Sequence, residues 1–138
     1  MVSIIDMQDM RYLNLFAKIT GVNTRFCIKY NDGIIFCVPK PLISKAIGRG
    51  GVNVKRLVQI LRRRVKIIPT PRGIEDAKIF IENIVSPVQF KELMIDGNEI
   101  ILTAGSQSKA ALLGRNKRRL LEMQKIVSDF FQKQFRII

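Results

Sequence analysis

Histidine is absent from this chain of 138 residues, tryptophan is absent, and the cysteines are two, Cys27 and Cys37. Without histidine the commonest general base and the commonest metal ligand are missing. Two thiols cannot build a four-thiolate zinc site within one chain. Acidic residues are scarce, 11 against 24 Lys and Arg. They are also scattered: Asp6 and Asp9 near the start, Asp32 and Asp96 in expected turns, Glu75, Asp76 and Glu82 on one expected helix. No carboxylate cluster stands ready for two-metal chemistry. These absences point away from an enzyme, and neither a cofactor nor a metal is expected. No apolar run approaches the ~18–20 residues of a membrane span. The opening residues, MVSIID, lack a basic segment followed by an apolar one, so no signal peptide is expected there. Two cysteines without a signal peptide suggest the cytoplasm, and no membrane partner is expected.

What the chain has in excess is positive charge, a net of +13 and a pI near 10.4. Such a charge opposes compaction, and the usual reason for it is a polyanionic partner. Hydrophobic residues make up 47% and the mean hydropathy is +0.12, so the chain has the means to fold, as one ordinary domain or two small ones. The charge is uneven. Residues 1–69 carry a net of +10 and residues 70–138 a net of +3; between Gly33 and Ile74 there are ten basic residues and no acid. The first half holds the main electrostatic footprint.

Periodicity predicts a helix over 7–20, with Met7, Met10, Leu13 and Ala17 on its apolar face, ended by Gly21. Alternating strands follow at 24–30 and 34–38, joined by a turn at Asn31, Asp32 and Gly33, with Asp32-Gly33 as its positive-φ pair. Pro39 and Pro41 bracket the start of a short helix to Ile47. A second helix runs from about Val52 to Arg63, and a strand covers 65–68. The same order then recurs: helix 74–84, strand 88–95, a turn at 96–98, strand 99–103, short helix 106–113, longer helix 117–133, strand 135–138. Asp32-Gly33 matches Asp96-Gly97 at an offset of 64, Gly48 matches Gly114 at 66, and Val65 matches Phe135 at 70. The chain reads as an internal duplication with small insertions, its halves joined at Pro69, Thr70 and Pro71.

The string IGRGGVNVK, from Ile47 to Lys55, carries the most information. A tight break between helices leaves the first N–H groups of the second helix without partners, and these attract an anion. Gly48, Gly50 and Gly51 let a phosphodiester backbone approach without meeting a Cβ. Arg49 adds a mobile cation, with Asn53, Lys55 and Arg56 on the following turns. The pattern lacks the Gly-Lys-Ser/Thr ending of a nucleotide-binding loop and joins two helices, so it suits a strand of nucleic acid better than a nucleoside triphosphate.

This string resembles the signature of KH domains, in which a GXXG loop clamps about four nucleotides of single strand. With helix and strands ahead of the core, each half resembles the type II form. Two such halves resemble the archaeal NusA-like proteins, similar to the paired KH domains of the bacterial transcription factor NusA. The resemblance implies an α+β fold of two tandem type II KH domains, each a three-stranded sheet with helices packed on one face. The first, 1–69, has the complete loop; the second, 70–138, a degenerate one. It implies binding of nascent single-stranded RNA in transcription elongation, termination or antitermination, with RNA polymerase or transcription complexes as further partners. The polymerase-binding region and oligonucleotide-binding barrel of the bacterial protein have no room here. KH folds also serve ribosome assembly and translation, and that alternative stays open.

Other residues extend the expected site. Arg62, Arg63 and Arg64 either complement a helix C-terminus or flank a groove lined by strand 65–68, with Lys66 beside the bases. Ile43, Ile47, Val54, Leu57 and Val58 form an apolar helix face, mostly core, with Ile47 and Val54 as candidates for a floor under the bases. With no Trp, 8 Phe and 2 Tyr, an aromatic stacking platform is not expected. The second loop has Lys117 where the fourth glycine would stand, and about three residues before Lys117, Arg118 and Arg119 read as lost. Such a shortened corner presents fewer backbone N–H groups. Gly114, Arg115, Lys117 and Arg118 are either phosphate contacts or a solvated helix start; cations opposing the dipole favour the former. Cys27 and Cys37 lie near one rung of the first hairpin. A three-residue turn would set them opposite each other and allow a disulfide; a two-residue turn would put them on opposite faces.

Overall fold

The computed structural model describes residues 7–138; the opening segment read above for a signal peptide, with Asp6, lies outside them. Helix α1 spans Met7–Thr20; its first turn stays outside, and it packs on the core from Tyr12 and Leu13 onward. Met7 and Met10 are 73% and 53% exposed, whereas Phe16 and Thr20 are buried. Thr20 sits inside at little cost because its Oγ1 donates to the Phe16 carbonyl at 2.7 Å and accepts from the Val22 N–H at 3.0 Å. Gly21, at φ +73°, ends the helix and donates to the Ala17 carbonyl at 2.9 Å.

Strands β1, Phe26–Tyr30, and β2, Gly33–Val38, form an antiparallel hairpin in which Tyr30 pairs with Gly33. The two turn residues are therefore Asn31 and Asp32, at φ +52° and +60°. This corrects the Asp32-Gly33 pair expected from the sequence: Asn and Asp tolerate the left-handed backbone themselves, and Gly33 is the first strand residue. The short helix α2, Ile43–Ile47, and α3, Val52–Leu61, lead to β3, Val65–Pro69, which pairs in parallel with β2. The sheet order is β1-β2-β3. Ile34, Phe36 and Val38 face the helices and form one core with Phe16, Val22, Ala46 and Leu57. The Phe16 and Phe36 rings stack at 4.4 Å. Of the apolar face expected on the helix pair, Leu57 is fully buried, while Val58 is 38% exposed.

The chain divides into two compact units, the first ending at Thr70 and the second running Pro71–Ile138. The second contains α4, Ala77–Val85; β4, Glu92–Asp96; β5, Glu99–Thr103; α5, Lys109–Leu113; α6, Arg118–Phe131; and β6, Gln134–Ile137. Strand β4 begins four residues later than the expected Val88. Its sheet repeats the first: β4 antiparallel to β5, β5 parallel to β6, in the order β4-β5-β6. The fold is thus α+β, with two three-stranded sheets. The duplication is more regular than the sequence suggested. Tyr30–Gly33 and Asp96–Glu99 close equivalent hairpins, an offset of 66 that persists through Gly48 and Gly114. It becomes 70 at the helix ends, where Arg62 and Gln132 both take a left-handed backbone. The whole change is accounted for by the lengths of α3 and α6, 10 and 14 residues. The insertion is a single extra helical turn.

In the first hairpin Phe26 pairs with Cys37 and Cys27 with Phe36, so the two cysteines alternate to opposite faces and form no disulfide. Burial, and secondarily the Cys27 thiol, push the Cys37 thiol well above its ordinary range. Among the described residues no helix is long and apolar enough to cross a membrane. The thiolate is the reactive form, so Cys37 is expected to resist iodoacetamide in the native protein and to react only after unfolding. Native alkylation should add at most one group and denatured alkylation two, read by intact mass. A second adduct on the native protein would contradict this burial.

Candidate nucleic-acid interface

The helix pair α2–α3 turns through residues 48–51. Gly48 donates to the Ser44 carbonyl at 3.0 Å, closing α2, and Gly51 donates to the Gly48 carbonyl at 3.0 Å. The Val52 amide continues the turn by donating to the Arg49 carbonyl. Arg49 and Gly50 supply the first amides of this turn, the positions with no preceding carbonyl in register. Gly48, Gly50 and Gly51 all have positive φ, +81°, +63° and +74°. At Gly48 a Cβ would stand 2.9 Å from Val52 Cγ1 and from Asn53 Nδ2, so close approach requires glycine there. At Gly50 and Gly51 a Cβ would meet nothing within 4 Å. Those two leave open space in front of the backbone, which is where a ligand backbone can come close.

Arg49, Gly50, Lys55 and Arg56 are exposed on this helix–corner–helix; Ile47, Gly48, Gly51, Asn53 and Val54 are half-buried. Asn53 is turned inward: its Nδ2 donates to the Lys45 carbonyl at 3.3 Å, tying α3 back to α2. It holds the corner rather than facing a ligand. The three arginines separate in role. Arg62 ends α3 in a left-handed backbone, its amide on the Val58 carbonyl at 2.7 Å. Arg63 is exposed between α3 and β3. Arg64 donates from Nη2 to the Asn31 carbonyl, bracing the hairpin turn, which removes it from the group at the corner. Val65 and Ile67 pack on the core, so Lys66 alternates to the other sheet face. There burial, and then the charge of Arg64, lower its amine below the ordinary lysine range.

The second corner overturns an expectation. It has lost no residues. Gly114, Asn116 and Lys117 stand at φ +75°, +55° and +60°, close to Gly48, Gly50 and Gly51. The Gly114 amide donates to the Ala110 carbonyl at 2.9 Å and the Lys117 amide to the Gly114 carbonyl at 3.1 Å, repeating the first corner bond for bond. The sequence misled because glycine is only the commonest way to occupy a left-handed position; Asn does so readily, and Lys at a cost of about 1–2 kcal/mol. Arg115, Asn116, Lys117 and Arg118 are exposed. Arg119 is not part of that cationic run: it pairs with Glu122 and packs where a Cβ on Gly114 would fall. It closes the second corner as Asn53 closes the first.

Ion pairs neutralise cations in both units; in the first, Lys29 pairs with Asp9. In the second unit Arg72, Arg119, Lys125 and Arg136 pair with Asp76, Glu122, Asp129 and Glu99. The second unit also has a cleft of about 410 Å³ between α6 and β6. Leu120, Gln124 and Ser128 line one wall, at i, i+4 and i+8 of the helix, and Lys133, Gln134, Phe135, Arg136 and Ile137 the other, with Glu99 at the end. Sequence reasoning missed these residues, although the helical spacing of Gln124 and Ser128 was there to be read. Among the described residues no group of three or more His, Cys, Asp or Glu could hold a metal ion.

Fold and corners together define a duplicated α+β protein that presents a left-handed, cation-bearing helix–corner–helix in each half. The sequence is NusA-like. It is 30% identical over 100 residues to the probable transcription termination protein NusA of Methanococcus vannielii, covering 71% of this chain and 56% of that protein. It is 25% identical over 124 residues to the protein of the same description from Methanocaldococcus jannaschii, covering 87% of this chain and 66% of that one. The chain thus spans somewhat more than half to two thirds of these relatives. The crystal structure of APE1850 shares the fold, with a TM-score of 0.66 over 97% of this chain and 99% of that one at 23% identity. No protein-family model matches the chain.

Backbone strain at the second corner is measurable. Lys117→Gly is expected to raise stability by up to about 1 kcal/mol, relief of the left-handed strain being partly offset by glycine's unfolded-state entropy. Gly51→Lys, the reverse change in the first corner, should lower it by a similar amount. Urea denaturation of both variants checks the pair; two losses, or two gains, would refute equivalence of the corners.

Proposed function

We propose that this chain is a single-stranded RNA-binding protein built from two type II KH domains, acting with transcription complexes in elongation, termination or antitermination. The observation that carries the reading is the first corner. Its leading amides and open glycines lie within 42 residues, from Gly33 to Ile74, that contain no acid. A phosphate seated there meets N–H groups, the positive end of α3 and the guanidinium of Arg49 together. Arg49, Lys55 and Arg56 position the backbone of the strand, and Ile47 and Val54 offer apolar contact for bases. Arg63 and Lys66 extend the positive field toward β3. In the second unit Gly114, Arg115, Lys117 and Arg118 play the corresponding part, with backbone amides equivalent to those of the first.

The relatives' description as transcription termination proteins favours transcription over ribosome assembly. RNA polymerase or an elongation complex is the proposed protein partner, and the cytoplasm the compartment where nascent RNA is met. The role is binding, not catalysis, and requires no cofactor. Co-purification with RNA polymerase rather than with ribosomal particles is the outcome that fits.

Two measurements test the interface. Binding that rests on about four to six phosphates of a single strand has a log–log salt slope of roughly −3 to −4; a slope near zero would exclude the electrostatic account. Replacing Arg49 and Gly50 together by Asp sets two negative charges where the phosphate sits. Each lost charge-assisted contact is worth about 1.5–3 kcal/mol, so affinity for a single-stranded RNA should fall at least ~30-fold. Circular dichroism should stay unchanged, since no neighbour lies within 4 Å of a Cβ at Gly50 and Asp is among the residues that tolerate its left-handed backbone. Undiminished affinity in a folded double variant would refute the site.

A further inference from the structure

The two sheets end differently at their first strands. Strand β4 closes the order β4-β5-β6 on the side away from β6 and its cleft. Leu102 of β5 gives its carbonyl to the Ile138 amide at 2.9 Å. The main-chain groups of its partner Leu93, and by alternation those of Ile95, therefore point outward from β4, with no strand beyond them among the described residues. Glu92, Met94, Ile95 and Asp96 are all exposed, Met94 by 48% and Ile95 by 45%, on opposite faces. In the first unit only Lys29 of β1 is exposed, and α1 ties it down through Gln8 at 2.9 Å and Asp9 at 3.3 Å. Glu92, Met94 and Asp96 share one face of β4. Neither carboxylate has an ion pair or hydrogen-bonded side chain among the described residues, although the chain carries 24 Lys and Arg. The cations nearby are turned elsewhere: Arg136 to Glu99, Lys133 to the Gly97 carbonyl, and Lys91 toward Gly105, where a Cβ would stand 3.7 Å from its Cε.

We propose that the free edge of β4 is a protein-docking site that takes an extended basic segment of a partner as an added strand. The outward amides and carbonyls of Leu93 and Ile95 supply the main-chain bonds. Specificity comes from the face above them: cationic side chains of the partner lie opposite Glu92 and Asp96, and an apolar one between them lies opposite Met94. The occupant therefore has its cations two residues either side of an apolar residue. Two other occupants are disfavoured by the same charges. A nucleic-acid backbone is repelled by unpaired carboxylates. A second copy's β4, paired antiparallel about Met94, would set Glu92 opposite Asp96, and like charges directly opposite destabilise a strand pair. Carboxylates that keep identical edges apart are complementary to a basic strand. This site stands apart from the RNA reading, which rests on the corners.

The test uses the full chain and two capped, fluorescein-labelled peptides of one composition, TKVLVKT and TVKLKVT. The first has the proposed spacing; the second has the same charge in another pattern. A chain of net +13 repels both in general, so binding reports a local acidic site. Fluorescence polarisation should show the first peptide bound about fivefold more tightly than the second. Replacing Glu92 and Asp96 together by Lys should weaken the first peptide at least about tenfold. Ile95→Pro removes an outward amide that β5 does not use, and proline is tolerated on edge strands. It should abolish binding while circular dichroism stays unchanged, and it serves as the second variant if the double charge change fails to fold. Absence of binding by TKVLVKT, equal affinity for the two peptides, or affinity indifferent to both variants would each overturn the inference. So would sedimentation showing that the unaltered chain self-associates and that the Glu92 and Asp96 changes abolish this, because the edge would then belong to a second copy. None of these outcomes bears on RNA binding.

Discussion

A parallel strand cannot follow its neighbour by a tight turn, and the rest of each unit depends on that constraint. Strand β3 lies parallel to β2, and β6 to β5, so each chain must cross from one end of its sheet to the other before returning. The crossover is a pair of helices. Reversing between them within four residues takes three positive-φ positions in each unit. A backbone turned in this way points its first amides outward. The feature that can grip an anion is thus a by-product of the topology, and the closing side chains, Asn53 and Arg119, keep it open.

Much of this was legible before the structure. Both hairpins, both helix pairs, the joining segment and the first glycine corner follow from periodicity and glycine placement, because those signals are local. What escaped was conformational degeneracy. Asn31 and Asp32 took the turn that Asp32-Gly33 seemed to claim, since either pair satisfies a left-handed turn and only the strand register decides. Asn116 and Lys117 hid an intact corner for the same reason. The roles of Asn53 and Arg64 were hidden differently: a polar side chain on a basic surface looks like a ligand contact until its partner, the Lys45 or Asn31 carbonyl, is seen. Of the cleft only the helical spacing of Gln124 and Ser128 was legible; its two walls belong to elements brought together only by the crossover.

Charge is distributed by the same logic. The hairpin turn of each unit is braced by a cation from the segment before the last strand, Arg64 on the Asn31 carbonyl and Lys133 on the Gly97 carbonyl. These cations contribute to the net charge while serving the fold. Much of the second unit's remaining charge is held in pairs such as Lys125 with Asp129, each worth little to stability at the surface but enough to flatten the local field. Those pairs already cancel within the net charge read from sequence; what they change is which cations a polyanion would meet.

Divergence after duplication has kept the corner and altered its surroundings. The extra turn of α6 adds Ser128 to the cleft wall and brings Phe130 and Phe131 against Phe80, at ring separations of 4.8 and 5.8 Å. A longer helix alongside the edge strand lengthens the cleft, and new aromatic contacts inside the unit support that length. Near the same cleft the small Gly33 of the first unit is replaced by a clamped carboxylate. On the proposed reading, two corners with matching backbones would hold phosphates in the same way. The units differ at the corner too, because Asn116 and Lys117 put exposed side chains where Gly50 and Gly51 leave open space, although one backbone shape is kept.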